Sequence, residues 1–126
     1  MKSPFARVLY TEDDADTREI VTYVLTNANF QVVAAKDYDE ALRLARAEHF
    51  DLYLLDSYLR GASGVDLCKK LREFDAQTPI LFYSGAAWDA DKQRALASGA
   101  QGYVTKPADS DELIAEVLRL VSAAKS

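Results

Sequence analysis

Four short apolar runs in this chain each end in a chemically capable polar group. VLYT runs into Glu12-Asp13-Asp14, LYLL into Asp56, ILFY into Ser84, and GYVT into Lys106-Pro107. The runs that start at Val8, Leu52 and Ile80 are apolar throughout, as expected of strands buried on both faces of a parallel sheet. If the four are parallel, their polar ends emerge at one edge, where the carboxyl ends of strands in an open α/β sheet bind ligands. Carboxylates, a hydroxyl and a lysine gathered there suit a divalent cation and a phosphoryl group.

Strand and helix patterns alternate five times. The predicted strands are Arg7–Thr11, Gln31–Ala35, Leu52–Leu55, Ile80–Tyr83 and Gly102–Thr105; the second and fifth are weaker, as edge strands often are. Ile20, Val21, Val24, Leu25 and Ala28 share one face of a first helix, Ala41, Leu42 and Ala45 of a second, and Val65, Cys68 and Leu71 of a third. A fourth helix, about Asp89 to Ser98, is the least amphipathic. Leu113, Ile114, Val117, Leu118 and Val121 form a clear stripe on the fifth. Asp37 with Glu40, Ser63 with Asp66, and Asp109 with Glu112 read as capping boxes, and Gly99 suits the left-handed position after the fourth helix. Short connections between alternating elements imply right-handed crossovers and a doubly wound α/β domain, (βα)5, with a parallel five-stranded sheet in the order 2-1-3-4-5. Five units fill the 126 residues as one domain, 1–126, with an ordered core from about 5 to 122.

A net charge of −5 and the lack of any basic run argue against direct nucleic-acid binding and against a membrane surface as partner. Cys68, the one cysteine, rules out an intramolecular disulfide and a cysteine metal site, and reads as a small buried residue. The stretch MKSPFARVLYTEDD is no signal peptide, and no run approaches a membrane span, so the chain is expected to be cytoplasmic.

Singly, the site residues have ordinary explanations. Glu12, Asp13 and Asp14 favour a helix start, with Asp14 or Asp16 as cap, and Asp56 can merely open a turn. Together they say more. The predicted order puts the first and third strands side by side, so that Asp13 and Asp56 face each other, at a repulsion of about 4 kcal/mol for a 4 Å separation. Lys106 offsets part of this, and Mg²⁺ (or Mn²⁺) offsets it better. An aspartate beside such a cation and a lysine can attack a phosphoryl group and hold it as an acyl phosphate. Ser84 can donate to a phosphoryl oxygen. As a nucleophile it is poorly placed, because there is no Gly-x-Ser-x-Gly elbow and His49, read as a surface residue, falls at the opposite sheet edge.

On these residues the chain resembles the receiver domain of bacterial two-component response regulators, along nearly its whole length. The resemblance implies the flavodoxin-like receiver fold, with Asp56 as phosphoacceptor. It implies metal held by Glu12, Asp13, Asp56 and the backbone carbonyl of Tyr58, with Asp13 a direct ligand. It makes Ser84 the switch hydroxyl, Tyr103 the aromatic that changes rotamer, and Lys106-Pro107 a cis pair, an isomer proline makes accessible at about 0.5–1 kcal/mol. Gly64 fits the family's glycine before the third helix. Two positions depart from the pattern. Glu12 replaces the more usual Asp, and Arg60 stands where a proline is frequent, which is expected to loosen that loop.

The expected partners are a histidine kinase or histidine phosphotransfer protein upstream and a downstream protein or detached output domain. A phosphorylation-dependent homodimer is compatible with the family. Phosphorylation would remodel the surface of the fourth helix, fifth strand and fifth helix, and the protein would catalyse only its own aspartyl phosphorylation and dephosphorylation. Tyr58 and Ala86 are expected to flank the path of hydrolytic water. Trp88 reads equally as an exposed anchor or a loop plug. Since the chain ends at Ser126, just past the fifth helix, it is expected to be either a stand-alone receiver or part of a longer protein. The alternatives are a receiver-like scaffold that signals without phosphorylation, a phosphatase of the haloacid dehalogenase type and a flavodoxin-like FMN binder. Tyr58 stands where that phosphatase needs a second aspartate. The FMN binder lacks its phosphate-cradling loop, since acids follow the first strand.

Overall fold

The elements of the computed structural model, which describes residues 4–125, follow the apolar runs closely. They are β1 (Arg7–Thr11), α1 (Ala15–Asn27), β2 (Gln31–Ala35), α2 (Tyr38–Ala47), β3 (Leu52–Leu55), β4 (Tyr58–Leu59), β5 (Ala62–Ser63), α3 (Gly64–Phe74), β6 (Ile80–Ser84), α4 (Asp89–Ala97), β7 (Gly102–Thr105) and α5 (Ser110–Ala124). Residues 1–3 and 126, the ends of the expected 1–126 unit, lie outside the described residues.

The main sheet is parallel and ordered β2-β1-β3-β6-β7, which is the predicted 2-1-3-4-5 order with β6 and β7 as its fourth and fifth strands. Its central strands β1, β3 and β6 carry the continuous apolar runs Val8–Tyr10, Leu52–Leu55 and Ile80–Tyr83, because both of their faces are covered. Alternate residues feed two cores. Leu9, Tyr53, Leu55, Ile80 and Phe82 pack with α2, α3 and Ala95 of α4, whereas Val8, Tyr10, Leu52, Leu54, Leu81 and Tyr83 pack with α1 and α5. Burying each such side chain stabilises the fold by about 1.5–3 kcal/mol.

Short polar side chains cap the starts of α1, α2 and α3, although in α2 Glu40 Oε1 accepts Lys36 N–H rather than the Asp37 N–H that a capping box requires. Asp14 accepts from Thr17 N–H at 2.8 Å, Asp37 from Glu40 N–H at 2.8 Å, and Ser63 from Asp66 N–H at 3.0 Å. Asp109 instead accepts from Asp111 N–H at 2.9 Å. Gly99 has φ of +122°, a value that a side-chain-bearing residue rarely adopts.

Three expectations are corrected. Ile20 is 63% exposed rather than buried. At about 100° per residue it lies about 140° around the helix from buried Leu25, beyond the edge of the stripe. Trp88 is 80% exposed, which excludes a loop plug. The segment after Asp56, expected to be loose at Arg60, instead closes an antiparallel hairpin with Tyr58 opposite Ser63 and Leu59 opposite Ala62; Gly61, at φ +79°, makes the turn.

Candidate functional site

Parallel pairing carries the ends of β1, β3, β6 and β7 to one edge, and hydrogen bonds extend the ladder past them. Glu12 N–H donates to Ala35 O at 3.0 Å, Asp56 N–H to Thr11 O at 3.3 Å, and Lys106 N–H to Ser84 O at 2.8 Å. The Lys106–Pro107 bond is cis. These bonds fix the backbones of Glu12, Asp56 and Lys106, three of the candidate site residues, before any side-chain contact is considered.

The side chains then converge. Lys106 Nζ lies 2.7 Å from Glu12 Oε1 and 3.2 Å from Asp56 Oδ2, and sits 5.3 Å from the centre of the Tyr83 ring. Glu12, Asp13 and Asp56 each offer a carboxylate oxygen, all within 4.8 Å of one another. At that separation each pair of ionised carboxylates repels by about 3–4 kcal/mol at an effective dielectric near 20. Three such groups against one ammonium leave two negative charges to be balanced. An all-oxygen donor set with that excess fits a small divalent cation such as Mg²⁺, which binds through one or two carboxylates and keeps several waters.

Glu12 is almost fully buried, and its other oxygen accepts Asp14 N–H at 3.2 Å. Burial raises its carboxyl above the usual range and the charge of Asp56 adds to that, while the hydrogen bond from Lys106 opposes both. For Lys106, burial alone would lower the ammonium; the Glu12 hydrogen bond and the Asp56 charge outweigh burial and raise it. Lys106 is therefore a fixed cation at neutral pH.

Asp56 is buried. Its Oδ1 accepts Ser57 N–H at 2.7 Å, leaving Oδ2 toward Lys106. Gly64 lets this strand end exist. A β-carbon there would stand 2.0 Å from Asp56 O and 2.9 Å from Phe82 Cε2, so Gly64 is a site of close backbone approach. Ser84 is fully buried at the end of β6, where its Oγ accepts Ala86 N–H at 3.1 Å, which leaves its own proton to donate. Half-buried Tyr103 stacks on Phe82 with centroids 5.9 Å apart, and its hydroxyl donates to Ala86 O. Tyr58 opens the β4–β5 hairpin with its side chain largely exposed. It lines a cleft of about 230 Å³ with Ser57, Ser63, Val65, Asp91 and Arg94. Exposed His49 lies away from this edge, 3.6 Å from Asp51.

Three contributors escaped the sequence reading. Tyr10, fully buried, places its hydroxyl 3.4 Å from Glu12 Oε1. Burial first, then the Glu12 and Asp56 charges, hold its phenol far above the ordinary range, so it is a neutral donor. Arg18 donates to Glu12 O at 2.7 Å, and Ser57 Oγ lies 3.4 Å from the Tyr103 hydroxyl. A tyrosine inside a doubly covered strand is the one available signal, because its buried hydroxyl needs a partner.

Comparison with known proteins places this geometry in a group. A family model described as the response regulator receiver domain matches residues 8–118. The chain is 37% identical over 113 residues to the phosphate regulon transcriptional regulatory protein PhoB of Escherichia coli (strain K12), covering 88% of this chain and 49% of PhoB. It is 37% identical over 119 residues to the cell cycle response regulator CtrA of Brucella ovis, covering 94% of this chain and 51% of CtrA. The chain thus spans about half the length of these curated relatives. The structure of the Francisella response regulator 1452 receiver domain superposes with a TM-score of 0.88 at 29% identity, over 94% of this chain and 98% of that one.

Proposed function

The chain belongs to the response regulator receiver domain family, and from that premise we propose that it accepts a phosphoryl group on Asp56 and switches a protein-interaction surface in response. The observation that carries the proposal is Lys106 Nζ between Glu12 and Asp56, beside a third carboxylate from Asp13. The donor is a phosphohistidine on a histidine kinase or histidine phosphotransfer protein. An Asp56 carboxylate oxygen attacks phosphorus, the P–N bond breaks, and its electron pair returns to the imidazole nitrogen.

Lys106 holds a positive charge where the phosphoryl oxygens arrive, and Ser84, whose proton is uncommitted, donates to one of them. Glu12, Asp13, Asp56 and the Tyr58 carbonyl would hold Mg²⁺ or Mn²⁺. Bound there, the cation neutralises charge on the transferred group. Pulling Ser84 toward that group shifts the loop that carries Ala86, and with it the Tyr103 hydroxyl bonded to Ala86 O. The surface of α4, β7 and α5 changes by a shift between two populations.

On this reading residues 1–126 form one cytoplasmic receiver domain that catalyses only its own phosphorylation and dephosphorylation. It acts on a downstream protein or an output domain. The test is incubation with Mg²⁺ and acetyl phosphate followed by intact mass. A gain of one phosphoryl group that Asp56→Asn abolishes supports the proposal; no gain favours a scaffold that works without phosphorylation.

A further inference from the structure

Ser57 uses all three of its polar groups, and they point in three directions. Its N–H donates to Asp56 Oδ1 at 2.7 Å, its carbonyl accepts Gly64 N–H at 2.8 Å, and its Oγ lies 3.4 Å from the Tyr103 hydroxyl. The first two bonds hold the Ser57 backbone from both sides. The Tyr103 proton is committed to Ala86 O, so in the third contact Ser57 must be the donor and Tyr103 the acceptor. At 3.4 Å that contact is long for an O–H···O bond, and a small rotation of the ring either closes or breaks it.

From this arrangement we propose that Ser57 is a positioning residue for Tyr103, tying the ring directly to the acceptor loop by a route that does not pass through Ser84. Tyr103 is thereby held between two loops, one beginning at Asp56 and one beginning at Ser84. The N–H bond to Asp56 is strengthened by the charge of the carboxylate. Modifying that carboxylate weakens the bond, frees Ser57 to turn, and changes the hold on the ring. This last step rests on reading Asp56 as the phosphoacceptor; the tie between Ser57 and Tyr103 does not.

The experiment is fluorine NMR of the full chain labelled with 3-fluorotyrosine, with the Tyr103 resonance identified by its loss in Tyr103→Phe. In unphosphorylated protein, Ser57→Ala is expected to raise the population of a second Tyr103 environment about twofold, because a contact this long carries only the low end of a neutral hydrogen bond's weight. Ser57→Thr, which keeps the hydroxyl, is expected to restore the original signal. A Tyr103 resonance that is the same in Ser57→Ala as in wild type overturns the proposal. So does an equal change in Ser57→Ala and Ser57→Thr, because the contact would then be packing alone. Adding Mg²⁺ and beryllofluoride should move the Tyr103 signal less in Ser57→Ala than in wild type; an equal response contradicts the second route. If wild type gains no phosphoryl mass from acetyl phosphate, the phosphoacceptor reading fails, while the comparison in unphosphorylated protein still decides the role of Ser57.

Discussion

Replacing Gly64 by alanine sets two effects of opposite sign against each other, and the geometry decides between them. Gly64 is the first residue of α3, where alanine gains helix propensity and reduces the freedom of the unfolded chain, together worth up to about 1 kcal/mol. Against this, the added carbon would lie 2.0 Å from Asp56 O and 3.0 Å from Asp56 C. Both are backbone atoms, so no rotamer change relieves the clash. Phe82 Cε2, at 2.9 Å, is locked in the core. Overpacking typically costs about 1–3 kcal/mol, and a backbone clash this close belongs at or above the top of that range. The net expectation is a loss of about 2–3 kcal/mol, a large share of the 5–15 kcal/mol typical of a domain. For a chain of this size that corresponds to a fall in Tm of roughly 6–15 °C. Urea and thermal unfolding followed by circular dichroism measure it. Because the clash is with the carbonyl of Asp56, the proposed acceptor, the rate of phosphorylation by acetyl phosphate should fall as well. A variant as stable as wild type or more so would refute the argument that Gly64 serves close backbone approach.

Asp75, at the opposite edge of the sheet, predicts a pH dependence. Burial alone would raise its carboxyl, but donation from Thr78 N–H and hydroxyl, the Tyr53 hydroxyl and Gln77 N–H holds it down at about 2, against an ordinary 3.8. Its stabilisation is therefore complete above the unfolded value and is lost as pH falls through about 4 toward 2. Screened by solvent, it amounts to about 1 kcal/mol, so the stability gap between wild type and Asp75→Asn in urea should be widest above pH 5 and close in acid; a gap independent of pH contradicts this. If the exposed Tyr58 ring shields the phosphoryl group from hydrolytic water, Tyr58→Ala should shorten the lifetime of the group on Asp56 severalfold; an unchanged decay rate rejects that role. Helix α4 buries only Ala95, so its amides should change in exchange protection when Mg²⁺ and beryllofluoride are added, and equal protection in both states would show it is no switch element.

The central sheet was legible because parallel strands covered on both faces need a continuous apolar run, as Val8–Tyr10 in β1, Leu52–Leu55 in β3 and Ile80–Tyr83 in β6 supply. Parallel pairing then forces their polar ends together, which is why Glu12, Asp13, Asp56 and Lys106 could be grouped from order alone. The β4–β5 hairpin was not legible, because a two-residue ladder has no room for periodicity. Ile20 misled because an apolar residue one position outside a stripe looks the same in sequence as one inside it. Tyr10, Arg18 and Ser57 were missed for another reason. The Tyr10 and Arg18 contacts to Glu12 are short in sequence but depend on which way a side chain leaves the backbone, and that of Ser57 joins it to Tyr103, 46 positions further along the chain.

The most direct measurement of the central claim is chemical location of the phosphoryl group. Protein treated with Mg²⁺ and acetyl phosphate is reduced with sodium borohydride, which converts an acyl phosphate of aspartate to homoserine, and the peptides are sequenced by mass spectrometry. Homoserine is expected at position 56 and at no other carboxylate, dependent on added Mg²⁺. Reduction at Glu12 or Asp13, or at no residue, would contradict it.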